Sequence, residues 1–352
     1  MSLERRNVIF HIDVNSAFLS WEAVYRLHHL GGKEDLREKV SAVGGDMAMR
    51  HGIILAKSIP AKKFHIKTGE TILEAKQKCP ELILVPPNYG LYEKCSKAFM
   101  DILRQYSPTV EQYSVDEAFV DMTGTEGLWG DPVTAAYRIK DQIRDILGFT
   151  VNIGISENKL LAKMASDFQK PDRVHTLWRN EIESKMWPLP VSDLFFVGRA
   201  TAKKLFSLGI HTIGELAHAD PHLLKAHLKK HGEVIWAFSR GMDVSVVQSE
   251  APANKGYGNS TTIAFDVTDA STAKLVLLAL AETVGTRLRA AKVRAEVIAV
   301  GIKTYDLSYA SHQMTLQNAT NITIEIHRCA CQLLTNYGTG QPSGIWGSTP
   351  AG

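Results

Sequence analysis

The sequence predicts a multidomain α+β protein, and three observations carry that expectation. A chain of 352 residues is too long for one compact core. Its first half alternates short apolar runs with amphipathic ones: "NVIFHIDV" before "SAFLSWEAVYRLHH", and "FTVNIGIS" before "NKLLAKMASDFQK". After Pro171 the texture changes, first to short helical runs separated by Gly, then from residue 256 to alternating strand-like runs around two helical ones.

Each element follows from local chemistry. Residues 7–14 read as a strand and the next run as a helix with Ser16 at its N-cap, which leaves Asp13 at a strand end, a common place for site residues. "GGKEDLREK" is a polar loop, 40–69 reads as small strands and loops, and 70–105 reads as mainly helical, broken by Pro80, Pro86 and Pro87. "VEQYSV" and "AFVDMT" form a hairpin with Asp116 and Glu117 at or near its bend; a helix over 132–147 follows. Short helices fill 190–240, a small polar linker covers 241–255, and helices are expected at 271–291 and 321–336 among the last strands. A net charge of +3 is too mild to signal a nucleic-acid partner, so any basic groove must be local. Cys79, Cys95, Cys329 and Cys331 form no metal pattern and read as free thiols of a reducing cytosol. The most apolar run, "LVLLALAETV", is too short to span a bilayer and no leader pattern opens the chain, so the expected location is cytoplasmic, away from membranes.

Three clusters could carry chemistry. Adjacent carboxylates among apolar residues repel each other and need a cation or a pairing partner. Neighbours in a regular strand point to opposite faces, so Asp116 and Glu117 converge only across a turn or bulge. With Asp13 they could form an all-oxygen cage for Mg²⁺, and two such ions about 3.5–4 Å apart suit in-line phosphoryl transfer. The competing reading is an idle, solvated hairpin tip. Lys159 stands in a strand-to-helix bend, as a phosphate ligand or as an ordinary solvated lysine; Lys57, Lys62 and Lys63 carry the same ambiguity. The Gly-containing hairpins of 194–219, with Lys203 and Lys204, are either holders of DNA phosphates or a plain packing unit.

Taken in order, these segments resemble the Y-family DNA polymerases. "FHIDVNSAFLSWE" is similar to the family's first palm motif, "YSVDEAFVDMT" to the second and "NIGISENKLLAKMASDFQKPD" to the third. "GIILAKSIPAKKFHIKTGE" resembles the fingers segment, the Gly hairpins the thumb, and "GNSTTIAFDVT" the start of the little finger. The resemblance implies a right-hand architecture: palm over 1–16 and 82–172, fingers 17–81, a helix-hairpin-helix thumb 173–240, a linker 241–255 and an α+β little finger 256–352. It implies a translesion DNA-directed DNA polymerase of low fidelity that adds dNTPs to a primer 3′ end with two Mg²⁺ ions. Its partner is primer–template DNA and the protein is expected to be a monomer; any sliding-clamp contact would fall to a segment this chain does not include. Asp13, Asp116 and Glu117 take the catalytic metal positions, with the Val14 carbonyl as a fourth ligand. Ser16, Ala17, Ser58, Lys62 and Lys159 face the nucleotide, Phe18 falls at the steric gate against the sugar, and Gly198, Lys203 and Lys204 meet DNA. Asn15, Ile59, Lys62 and Phe196 depart from the family's usual acid, Tyr, Arg and Gly. Two rivals share these features: a palm-domain nucleotidyl cyclase, against which the thumb and little-finger segments argue, and a non-catalytic primer–template binder, against which the intact acids argue.

Overall fold

Period-two alternation in "IFHIDV" organises the first sheet. In the computed structural model, which describes residues 6–46, 52–250, 252–335 and the backbone of 345–348, this run is strand β1 (Ile9–Val14). Phe10, Ile12 and Val14 enter the main core, whereas Ile9, His11 and Asp13 face the other side. The elements that follow are α1 (Ala17–His29), β2 (Ser41–Gly44), β3 (Ile54–Lys57), α2 (Ile59–Lys62), α3 (Ile72–Lys78), β4 (Ile83–Val85), α4 (Tyr89–Leu103), β5 (Val110–Gln112), β6 (Glu117–Asp121), α5 (Glu126–Trp129), α6 (Pro132–Leu147), β7 (Val151–Ser156), α7 (Lys159–Asp167) and β8 (Val174–Thr176). The sheet order is β5-β6-β1-β7-β8, with β1 antiparallel to both neighbours. The core on one face joins β1 to Trp21 of α1, Phe99 of α4 and Ile139 of α6; α7 covers the other face through Ala162.

Capping chemistry sets the helix ends. Asp131 accepts the backbone N–H groups of Val133 and Thr134, Pro132 starts α6, and Gly148 ends it at φ 75°. Asn158 likewise accepts the Leu161 N–H and starts α7. Ser16 departs from the expected cap: it holds the N-cap position in the left-handed region at φ 49°, and its side chain caps nothing. The stretch 70–105 is also less helical than expected, because Ile83, Leu84 and Val85 pair in parallel with β2. Three apolar, mostly β-branched residues closed off by Pro86 favour a strand. Within 40–69, Ser58 accepts the Ala61 N–H and starts the single helical turn α2.

Beyond β8, a helical region follows: α8 (Arg199–Ser207), α9 (Ile213–His218), α10 (Pro221–Leu228) and α11 (Lys230–Ser239), packed around Leu205, Ile213, Leu224 and Ile235. The last region holds β9 (Asn259–Thr261), α12 (Ala270–Ala290), β10 (Ala295–Lys303), β11 (Tyr309–Thr320), α13 (Thr323–Thr335) and β12 (Ile345–Ser348). Its sheet runs β11-β10-β12-β9, and Leu277, Ala281 and Ile326 pack with Ile298 and Val300. By contacts the chain divides into two units: Met1–Val43, Leu55–Thr68 and Lys78–Ala251 form one, and Gly44–Ile54, Gly69–Gln77 and Pro252–Gly352 the other. The Ala251–Pro252 boundary falls inside the 241–255 segment read as a linker. Among the described residues all four cysteines are free, and no helix is long and apolar enough to cross a membrane.

Gly154 fixes how closely α7 approaches the sheet. It pairs with His11 across β7 and β1, and a Cβ built on it would stand 1.9 Å from the Ala162 carbonyl oxygen and 2.4 Å from the Ser166 nitrogen. Both obstacles are backbone atoms, so the helix itself would have to move. Gly154→Ala is expected to cost at least about 3 kcal/mol, the upper end of overpacking penalties. Urea denaturation measures it, and a loss below about 1 kcal/mol would contradict this packing.

Candidate active site

The acids meet because of strand register. Asp13 pairs with Glu117 across β1 and β6, so their side chains leave the sheet on one face, the face that α7 covers. Asp116 lies just outside β6 in the bend that closes the hairpin, and its carbonyl oxygen accepts the Val14 N–H at 3.0 Å. The bend supplies the turn that two sequential acids need in order to converge. Ser114 Oγ donates to Asp116 Oδ1 at 2.7 Å.

Lysines answer the charge. Lys170 Nζ is 2.5 Å from Asp13 Oδ2, and Lys163 Nζ is 2.6 Å from Glu117 Oε1. With the carboxylates held this way, no group of three His, Cys, Asp or Glu side chains among the described residues is gathered closely enough to ligate an ion. The donor chemistry nevertheless fits a hard divalent cation: carboxylates and a backbone carbonyl at neighbouring strand ends, balanced only by two single charges. Burial pushes the Asp13 carboxyl up to about 6; Lys170 opposes the rise, while Glu117 and Asp116 add to it. Because the folded value lies above the ordinary 3.8, this group stabilises the fold at low pH and loses that contribution as pH rises through about 6. The ionised site is thus under tension, which a cation would relieve. Beneath the acids, His11 is fully buried and its Nδ1 lies 2.8 Å from Ser166 Oγ. Burial, then Lys163, holds its pKa well below the usual histidine value, so it stays neutral.

A cleft of about 240 Å³ adjoins Asp13 and gathers several expected residues: Val14, Ser16, Ser58 and Lys62 all line it. Lys62 is exposed, and no carboxylate among the described residues pairs with it. Two further cations at the cleft escaped sequence reasoning. Arg37 donates to the Gly148 carbonyl at 2.7 Å and forks onto Asp35; Lys170 also lines the cleft, at the end of the run "NKLLAKMASDFQK". "GGKEDLREK" carried no signal beyond polarity, so Arg37 needed the fold to reveal it. Asn15 also lines the cleft, and its buried amide joins Asn152, Thr150 and the Asp172 N–H.

Three expected residues lie elsewhere. Lys159 does not line the cleft: its Nζ is held by both oxygens of Glu111 at 2.7 and 2.8 Å, and Glu111 also accepts the Gln248 N–H. Ala17 is buried at the start of α1. Phe18 stacks on Tyr92 with ring centroids 4.3 Å apart and packs beside Trp21. A larger cleft of about 340 Å³, in the other unit, is lined mostly by apolar residues such as Leu277 and Val284 and holds a single carboxylate, Glu296.

In the helical region, Gly198 occupies the N-cap of α8 with open space around it, and Lys203 and Lys204 are exposed on that helix. Phe196 stands where the resemblance expects Gly, yet its backbone takes the glycine-like left-handed conformation at φ 76°. Contacts with Phe195, Phe238 and His231 hold the ring in place against that strain.

Known proteins match this chain throughout. The impB/mucB/samB family profile matches residues 12–167, the family's C-terminal domain residues 254–345 and the IMS family HHH motif residues 179–210. DNA polymerase IV of Clostridium acetobutylicum is 44% identical over 97% of this chain and 84% of that protein. DNA polymerase IV 1 of Bacillus subtilis is 36% identical over 98% of this chain and 82% of that protein. A Y-family DNA polymerase chimera superposes with a TM-score of 0.84 over 97% of both chains at 20% identity, a likeness of fold. The expected α+β fold of a Y-family DNA polymerase holds, and by these identities the chain belongs to the DNA polymerase IV family.

Proposed function

We propose that Asp13, Asp116 and Glu117, with the Val14 carbonyl, hold two Mg²⁺ ions, and that the cleft beside Asp13 takes the triphosphate of a dNTP. The pairing of Asp13 with Glu117, with Asp116 in the adjoining bend, is the observation that supports this reading most. When bound, the ions stabilise the attacking primer 3′-hydroxyl and the leaving pyrophosphate oxygens. The protein's own part is positioning. Lys62 offers a free charge to the phosphates, though without the bidentate fork of an arginine. Ser58 Oγ accepts N–H bonds from Ala61 and Ser41, so its proton remains to donate toward the cleft. The opening amides of α1, at Ser16 and Ala17, point the positive end of a helix at the same anion. Lys203, Lys204 and the amides near Gly198 suit sequence-independent phosphate contacts on primer–template DNA. Lys159 would reach the nucleotide only by leaving Glu111.

Replacing Asp116 tests the metal assignment. Asp116→Ala is expected to lower primer extension at least about 100-fold, since even outer-shell partners of a metal carry 10–100-fold effects. Binding of primer–template, followed by fluorescence anisotropy, should stay near wild type. Near-normal turnover would remove the assignment.

Phe18 sits one helical turn beyond the acids, on a helix that starts at the cleft. Its stack on Tyr92 makes a rigid aromatic wall, suited to pack on a deoxyribose and to collide with a 2′-hydroxyl. Phe18→Ala should shift the kcat/KM ratio of dNTP over rNTP toward ribonucleotides by about 100-fold or more, the scale of a steric specificity determinant. An unchanged ratio with a lower melting temperature would return Phe18 to a packing role alone, at about 3–5 kcal/mol.

A further inference from the structure

Glu22 is a buried acid outside the cluster of Asp13, Asp116 and Glu117. It lies on α1 four residues beyond Phe18, so the two side chains share a helix face. Its side chain is 5% exposed, and a carboxylate is costly there unless it is paired. Arg26 Nε stands 3.7 Å away, and the Tyr92 hydroxyl donates to Glu22 Oε1 at 3.0 Å. Burial above all, with a smaller contribution from Glu22, holds the Tyr92 pKa above its usual value, so the phenol keeps its proton and donates. The ring of the same tyrosine lies flat on Phe18, 10° from parallel. Tyr92 thus bridges Phe18 and Glu22 along one face of α1. Trp21 and Tyr89 flank it at ring-centroid distances of 5.7 and 5.8 Å. A hydrogen bond to a charged acceptor is more directional than such packing, so it fixes where along α1 the ring stops.

We infer that Glu22, acting through the Tyr92 hydroxyl, holds the aromatic wall behind Phe18 in place and so sets how strictly the site rejects a ribonucleotide. The inference rests on the reading of Phe18 as the steric gate. A 2′-hydroxyl pressed against Phe18 can enter only if the ring yields. Phe18 is half-buried and backed by Tyr92, so it yields only if Tyr92 moves with it. That movement must break the bond to Glu22 and leave a buried carboxylate without its donor. The bond therefore makes the gate stiffer than ring packing alone would. Glu22 does not touch the nucleotide in this account and is a positioning residue.

The test measures kcat/KM of the full chain for a dNTP and the matching rNTP, with the melting temperature followed in parallel. Tyr92→Phe keeps the ring and removes the donor. It should lower the dNTP-over-rNTP ratio about tenfold through a rise in the rNTP value, the small end of what a hydrogen bond to a charged group carries. Glu22→Leu removes the acceptor and should do the same, whereas Glu22→Gln still accepts and should keep the wild-type ratio. Tyr92→Phe combined with Glu22→Leu should match either single variant, because both break one bond. A wild-type ratio in Tyr92→Phe and Glu22→Leu, whatever their melting temperatures, overturns the inference. So does a ratio that falls only through lost dNTP use, or a Glu22→Gln as permissive as Glu22→Leu. Should Glu22→Leu fail to fold, Tyr92→Phe and Glu22→Gln carry the comparison with the same expected outcomes. Phe18→Ala is the control. If it leaves the ratio unchanged, the gate reading falls and takes this inference with it; if it shifts the ratio while Tyr92→Phe does not, this inference alone falls.

Discussion

The site depends on one pairing, the antiparallel register that sets Asp13 opposite Glu117. A slip of one residue between β1 and β6 would turn every side chain of one strand to the other face. Asp13 would then point into the apolar core, where its charge has no partner, while Phe10 and Ile12 would turn out of it. The register is held from both sides of the sheet. On one face Phe10, Ile12, Val120 and Ile153 fill the core; on the other, Gly154 admits α7 close enough for Lys163 to reach Glu117.

That arrangement trades stability for function. Burial above all, with smaller contributions from Glu117 and Asp116, raises the Asp13 pKa to about 6, so the ionised acid costs the fold. Lys163 and Lys170 blunt the conflict with single charges. Asp13 remains mostly buried, so its ionised form is still costly, and proteins accept such local cost where chemistry is done.

Much of this was legible from residue order. Strand β1, the hairpin carrying Asp116 and Glu117, the helix over 132–147 and the strand-to-helix step before Lys159 all follow from periodicity. Ser16 misled because a serine before a helix signals a cap, whereas here the tight exit from β1 forces a left-handed turn. β4 was hidden because three residues are too few for alternation to register. The partners of the acids were hidden for another reason. Nothing in "NKLLAKMASDFQK" marks Lys163 or Lys170 as partners of acids, and only the packing of α7 across β1 shows which carboxylates they meet. Lys159 shows the converse: a phosphate-like setting at a helix start was visible, but its partner Glu111, 48 residues earlier in the chain, was not.

The arrangement of cations around Asp13, Asp116 and Glu117 is what a structure with bound ions would test most directly. Crystals grown with primer–template, Mn²⁺ and a non-hydrolysable dNTP analogue would locate manganese by anomalous scattering. The account predicts two peaks ligated by Asp13, Asp116 and Glu117. Manganese bound away from these acids would contradict it.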